Sequence, residues 1–379
     1  MPRVVALLLA SLLFAPPAAA EPTRIELYTM GSGDDAFEAF GHAALCVIDD
    51  EEPRGLCYNY GAADFTDPPA LIWDVLRGRA RFWVSRMPMP LMVEAYQEDD
   101  RTLYRQRLDL PPEAADTIAA RLADDHLPEN KFYTYHHYRD NCSTRLRDHI
   151  DVATGGRLAA GSDRSAGATF RELTQRGFTQ SLPLLAGMEV LVGRPVDREA
   201  TVWEAMFLPG VLRDEVAKKF SAQPELIYRR RGPLPSLSPY AGRRAVLAAA
   251  MMLTLIVVAG AAAGRRWLNF SLGLVGLICG LIGVLITATA VVALLPELRR
   301  NEVLLVCLPF DLALLFLRGR PRAVYLAARV ALAAVVAVGL LAGVLHQPMW
   351  AAWALATGPM LAGLIGVHAR ARRAGRAAD

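Results

Sequence analysis

The sequence predicts an exported α+β domain followed by an α-helical membrane bundle. Three observations carry that prediction. The N-terminal run VVALLLASLLF ends in Ala18-Ala19-Ala20, residues 21–228 mix charges with aromatic residues, and apolar runs of membrane-crossing length dominate from residue 245 onward. Arg3 ahead of the first run and the small residues before Glu21 fit a secretory signal peptide over residues 1–20, shorter than a typical span. The apolar runs near 245–264, 268–295, 301–317, 323–345 and 350–367 are each about long enough to cross ~30 Å of hydrocarbon. Five spans are expected over residues 245–367, or four if the third run, which carries Glu302 and Asp311, is not one.

Basic residues orient the bundle. With the N-terminal domain outside, the inner turns hold Arg265-Arg266, Arg318/Arg320/Arg322 and the tail 368–379 with Arg370, Arg372, Arg373 and Arg376. The outer connections hold only Arg299 and Arg300. This asymmetry predicts a membrane protein with its N-terminal domain outside and its C-terminus in the cytoplasm. The net charge of +3 over 379 residues is no nucleic-acid signal, because much of the excess is membrane-flanking arginine. The stretch RRRGPLPSLSPYAGRR (229–244) reads as a basic linker resting near lipid headgroups.

Within the outer domain, RIELYT (24–29) reads as a strand. HAALCVID and GLCYNYG form a hairpin across the polar turn DDEEPR. LIWDVLRG and PLMVEAYQEDDRTLY read as helices, and RQRLDLP as another strand. PPEAADTIAARLADDHL is a helix opened by proline. The run after Cys142 is a helix, with Leu146 and Ile150 four apart and Gly155-Gly156 as its stop. Together these make a small antiparallel sheet with helices packed on it.

Five cysteines are present. Cys279 and Cys307 fall in membrane runs and read as packing residues. Cys46 and Cys57 lie on the two arms of the hairpin, where they are either a disulfide or two core thiols. Cys142 is left over. Asp140 or Asn141 caps its helix, which places the thiol in the first turn, where the backbone N–H groups and Arg145 are expected to lower its pKa. A nucleophilic cysteine needs a base. Of seven histidines, His42 ranks first, since it follows Gly41 and opens a strand of small residues; His136 and His137 rank behind it.

The motifs FGHAAL, YNYGAADF, YRDNCSTRLRD and MFLPGVL occur in that order. They resemble the periplasmic domain of Lnb-type bacterial lipoprotein N-acyltransferases over residues 23–215. The resemblance implies a circularly permuted, papain-like domain of the NlpC/P60 kind, with histidine before cysteine in the chain. It implies that Cys142 and His42 move an acyl chain from a membrane phospholipid to the α-amine of a diacylglyceryl lipoprotein. A third polar residue usually orients the histidine. The hairpin register puts Asn59 on the face of His42, with Tyr60 as the alternative. Arg145, Tyr60 and Asn141 are the candidate substrate-binding residues. No metal or cofactor is expected, since the chain has no HExxH and no clustered Cys/His spacing. Two other readings use the same residues: a cell-wall peptidase or amidase, and a non-catalytic membrane scaffold.

Overall fold

The structure, a computed structural model, describes residues 22–376 apart from 36–37 and 235. The signal-peptide reading of residues 1–20 lies outside the described residues. The expected hairpin is β2 (His42–Ile48) and β3 (Leu56–Ala62), and β1 (Arg24–Met30) flanks it. The strands β4 (Arg81–Pro88), β5 (Leu103–Leu108) and β6 (Phe132–Thr134) follow. A separate ribbon pairs β7 (Ser165–Thr169) with β8 (Glu199–Thr201), and β9 (Glu225–Tyr228) returns to the main sheet. That sheet has seven strands in the order β6-β4-β3-β2-β1-β5-β9, and every neighbouring pair is antiparallel. Four of its strands (β1, β2, β3 and β5) coincide with sequence expectations. β4 was not expected, because RFWVSRMP buries only Phe82 and Val84 and carries two exposed arginines, Arg81 and Arg86.

Helices cover both faces. On one, the helices Pro112–Asp125, Cys142–Ala153 and Pro209–Phe220 pack against Leu27, Leu45, Tyr58 and Tyr60. On the other, Met92 of helix Met89–Glu98 packs against Tyr28, Ala44, Cys46 and Cys57. Residues alternate between faces along a strand, so His42 and Asn59 project toward the second face, and Ala43 and Tyr60 toward the first. The β2–β3 register is the expected one. Cys46 stands opposite Cys57, and the two form a disulfide.

The cysteine helix is specified locally. Asn141 accepts from Ser143 N–H and Thr144 N–H, while Thr144 Oγ1 accepts from Asn141 N–H, a reciprocal box that satisfies three donors at the helix start. Leu146 and Ile150 are fully buried against the sheet, each worth about 1.5–3 kcal/mol. Beyond the helix Gly155 and Gly156 take φ of 63° and 84°, a conformation that ends it.

The C-terminal region differs from the reading of five helical spans. Among the described residues, four helices are long and apolar enough to cross a membrane: Ala241–Ala263, Arg265–Val292, Gly319–Leu341 and Trp350–Arg373. The run 301–317 is broken instead into two 3₁₀ segments, Glu302–Leu305 and Pro309–Leu315. Pro309 lacks the N–H a continuous helix needs. This segment lies antiparallel along the second helix. Side chains at Gly283, Gly280 and Gly276 would meet Cys307 O at 2.5 Å, Leu312 Cγ at 2.6 Å and Asp311 O at 2.5 Å, so only glycine admits the close approach. The segment starts beside the sheet domain, where Asn301 Nδ2 donates to Val190 O at 2.8 Å. It leads to Arg322, which bonds Asn269 near the start of the second helix. The bundle is therefore traversed five times, four times by helix and once by irregular chain.

Irregular backbone in hydrocarbon requires internal partners. Asp311, fully buried, supplies them: it accepts from Leu308 N–H at 2.9 Å, Tyr325 O–H at 2.7 Å and Arg329 Nε at 2.7 Å. Arg329 Nη2 also donates to Val306 O at 2.5 Å. At the bundle end away from the sheet, Arg370 Nε reaches Ala261 O at 3.0 Å beside the Arg265-Arg266 turn. The arginine-rich end and the sheet-bearing end are opposite.

Two outcomes are expected. Cys46→Ala/Cys57→Ala should lose about 2–3 kcal/mol of stability in thermal unfolding while keeping full activity per folded molecule; lost activity with a retained fold would make this pair part of the chemistry. Arg329→Leu leaves the Asp311 carboxylate buried alone, and should destabilise the bundle by about 3–5 kcal/mol in detergent melts; an unchanged midpoint would show that Asp311 does not hold the irregular segment.

Candidate active site

His42 opens β2 and Gly61 closes β3 beside it, where the β3–β4 register shifts between Tyr60 and Ala62. A Cβ added at Gly61 would stand 3.9 Å from Cys142 Cβ and 3.9 Å from His42 Cε1. The cysteine helix covers one sheet face and the histidine projects toward the other, and they meet at this strand end. The Ala43 N–H lies close enough to the Cys142 sulfur to favour its thiolate. Both side chains are half-buried.

His42 Nε2 lies 3.3 Å from Asn59 Oδ1. A carbonyl oxygen only accepts, so Nε2 carries the ring proton and Nδ1 the basic lone pair. The expected third residue is thus in bonding position. Burial pushes the His42 pKa down to about 4, the Arg101 charge adds to this, and the Asn59 bond opposes both. Burial also raises the Cys142 thiol, outweighing the N–H groups of Ala43 and Ser143, which favour the thiolate. This corrects the sequence expectation of a lowered thiol pKa. A helix start favours the anion, but loss of water costs it more. The resting pair is a neutral thiol and a neutral imidazole.

The other expected residues sit elsewhere. Asn141 is a cap: its oxygen accepts two helix N–H groups, and Nδ2 donates to His137 O and Phe207 O, each at 2.9 Å. Arg145 grips Asp140 through two bonds, of 2.6 and 3.0 Å, and stacks on Tyr133 at 4.3 Å. Its guanidinium is thus committed to Asp140 and the Tyr133 ring. Tyr60 is fully buried, and its O–H donates to Asp125 at 2.6 Å. His149 lies 2.8 Å from Tyr60 Oη and 3.1 Å from Asp125, and Arg121 donates to its Nδ1 at 3.2 Å. This network braces the back of the cysteine helix. His137 is packed among Phe40, Tyr138 and Phe207, with centroids 4.5 to 5.2 Å away, and Nδ1 faces the Tyr135 hydroxyl at 3.2 Å. His136 Nε2 is 3.8 Å from Glu297.

Sequence reading missed Tyr96 and Arg101. Tyr96 stacks on His42 with centroids 6.1 Å apart, and the Arg101 guanidinium lies 4.9 Å over the Tyr96 ring. Arg101 is buried, bonded to Gly31 O and Glu38. In QEDDRTLY it reads as one more solvated charge, and no local pattern marks it as buried. Gly61 was legible in YNYGAADF, since glycine after a strand marks a special backbone, here φ +107°.

These shifts predict a pH dependence. The folded His42 ring takes its proton near pH 4 and an unfolded one near 6.5, so between those values the unfolded chain binds more protons. Its contribution to stability is full above 6.5 and falls as pH drops toward 4. Nuclear magnetic resonance titration should place the His42 midpoint near 4, and a midpoint at 6.5 would remove the buried neutral imidazole. Alkylation of Cys142 by an uncharged reagent should be slow at pH 7 and still rising at pH 9; a plateau near neutrality would mean a preformed thiolate.

The family model of the Lnb N-terminal periplasmic domain matches residues 18–176, which include His42, Asn59 and Cys142. No curated protein and no solved structure matched the chain. The chain is a membrane protein with a periplasmic sheet domain and four apolar helices, and that domain is similar to the Lnb N-terminal periplasmic domain.

Proposed function

We propose that the protein is a lipoprotein N-acyltransferase of the bacterial inner membrane, taking an acyl chain from a phospholipid. The observation that carries this reading is the meeting of Cys142 with His42 beside Gly61 at the end of β2, with Asn59 on Nε2. The histidine-before-cysteine order fits a permuted papain-like arrangement. The arginine-rich end of the bundle fits a cytoplasmic C-terminus.

The reaction follows from the geometry. His42 Nδ1 takes the thiol proton as the sulfur attacks the ester carbonyl of the donor lipid. Ala43 N–H and Cys142 N–H, both of which favour negative charge at the sulfur, are the donors at hand for the oxyanion. The carbon–oxygen bond breaks, the imidazolium returns its proton to the departing lysophospholipid, and an acyl-thioester remains on Cys142. The α-amine of a diacylglyceryl lipoprotein then attacks the thioester. It gives a proton to His42, which passes it to the leaving sulfur, and an amide is formed. A neutral imidazole suits this role, because a base must be unprotonated when the attack begins. Tethering the site to the bilayer shared by both substrates replaces a three-dimensional search.

A peptidase would use the same dyad, and the product distinguishes them. Incubation with phospholipid alone should add one acyl mass to the peptide bearing Cys142 and release lysophospholipid. Cys142→Ser should abolish transfer, and His42→Ala should lower it by about 10²–10⁴-fold. Because the two act as a unit, the double variant should be no worse than Cys142→Ser alone. Full activity in Cys142→Ser at normal expression would overturn the reading.

A further inference from the structure

The outer connection of the bundle carries Arg299-Arg300, against the charge asymmetry of the rest of the chain. Arg300 lines a cavity of about 280 Å³ between the sheet domain and the bundle. Tyr138 and Phe170 give it an apolar floor, and Arg139, Arg194 and Arg198 join Arg300 in its walls. Two carboxylates are also present, each beside an arginine. Glu204 is held by Arg198 at 2.8 Å and by Thr201 N–H at 3.0 Å. Glu297 lies 3.5 Å from Arg139 and 3.8 Å from His136. Four arginines thus face two carboxylates in the lining. Arg300 has no ion pair among the described residues, and Arg194 approaches only Glu302, at 3.5 Å.

The walls are fixed. Gly193 N–H donates to Glu297 O at 2.7 Å, Arg194 N–H to Arg300 O at 2.8 Å, and a Cβ at Gly193 would strike Arg300 O at 2.3 Å. These bonds lock the chain around Arg194 to the chain around Arg300, so the two guanidinium groups share one rim. The rim lies just past Val292, the last residue of the second long helix, hence at the outer headgroup level of the bilayer. Guanidinium groups match phosphate oxygens in geometry and charge.

We propose that this cavity is a lipid-headgroup site, with Arg194 and Arg300 on the phosphodiester. It deepens the acyl-transfer reading by giving the donor a docking point on the same domain as Cys142. Binding is read without turnover, so a failed transfer assay leaves it standing, and Cys142→Ser should bind as the parent does. The test uses the full chain in detergent and glycerophosphoethanolamine, a headgroup without acyl chains, with calorimetry as the readout. The parent should bind, and Arg194→Gln/Arg300→Gln should weaken binding at least tenfold. The thermal midpoint and the Cys142 alkylation rate should stay unchanged in that variant, which shows that it folds and that the dyad is intact. Arg299→Gln, one residue outside the cavity lining, should bind like the parent. Inorganic phosphate should bind at least tenfold more weakly than the headgroup. No binding by the parent, or no loss in the double variant, overturns the proposal. Equal loss in Arg299→Gln would reduce the site to general surface charge, and equal affinity for inorganic phosphate would make it a free-phosphate site; either result also overturns it.

Discussion

The candidate site depends on one constraint: its two reacting side chains belong to opposite faces of a sheet. A cysteine at the start of a helix on one face reaches a histidine directed at the other only where the strands end. Both glycines at that end are required by geometry. Gly41 has φ +81°, and a Cβ there would stand 2.4 Å from Met30 O. Gly61 has φ +107° and abuts both residues. Register matters as much as backbone shape. A one-residue slip of β3 would turn Asn59 away from His42 and bring Tyr58 or Tyr60 into its place. The Cys46–Cys57 bridge, joining directly opposed positions of the same strand pair, holds that register covalently.

Charge is kept off the reacting atoms. Arg145, one turn along the helix from Cys142, is held by Asp140, and the Tyr60–Asp125–His149 group keeps its polar atoms satisfied behind the helix. Arg101 is buried close enough to lower the His42 pKa, yet it is tied to Glu38. The result is a neutral base beside a neutral nucleophile. In such a pair the proton moves only when an electrophile arrives, which protects the thiol in an oxidising compartment.

Much of this was legible because local rules govern it. Alternating burial gave the hairpin and its register. The Asn141 box and the Gly155-Gly156 stop bracketed the cysteine helix, and the ranking of His42 followed from its small neighbours. What was not legible depends on long-range packing. Arg145 and Arg101 look alike in sequence, and only the fold shows one paired with Asp140 and the other buried under Tyr96. Burial decided the sign of the Cys142 shift, and no window of sequence reports burial by distant strands. The run 301–317 has the hydropathy of a span. Its departure from helix rests on Pro309 together with a glycine groove some thirty residues earlier in the chain.

That irregular pass bears on how the protein is made. Asp311 emerges from the ribosome 18 residues before Arg329, and until then its carboxylate and the unpaired carbonyls around it have no partner in lipid. The segment cannot rest in the bilayer alone. Its buried partner comes only with the helix Gly319–Leu341, which carries Arg329. Synthesis halted between the two residues would leave 301–317 accessible to water-soluble probes, while a chain extended through Arg329 would bury it. The salt bridge thus sets an order of events during insertion.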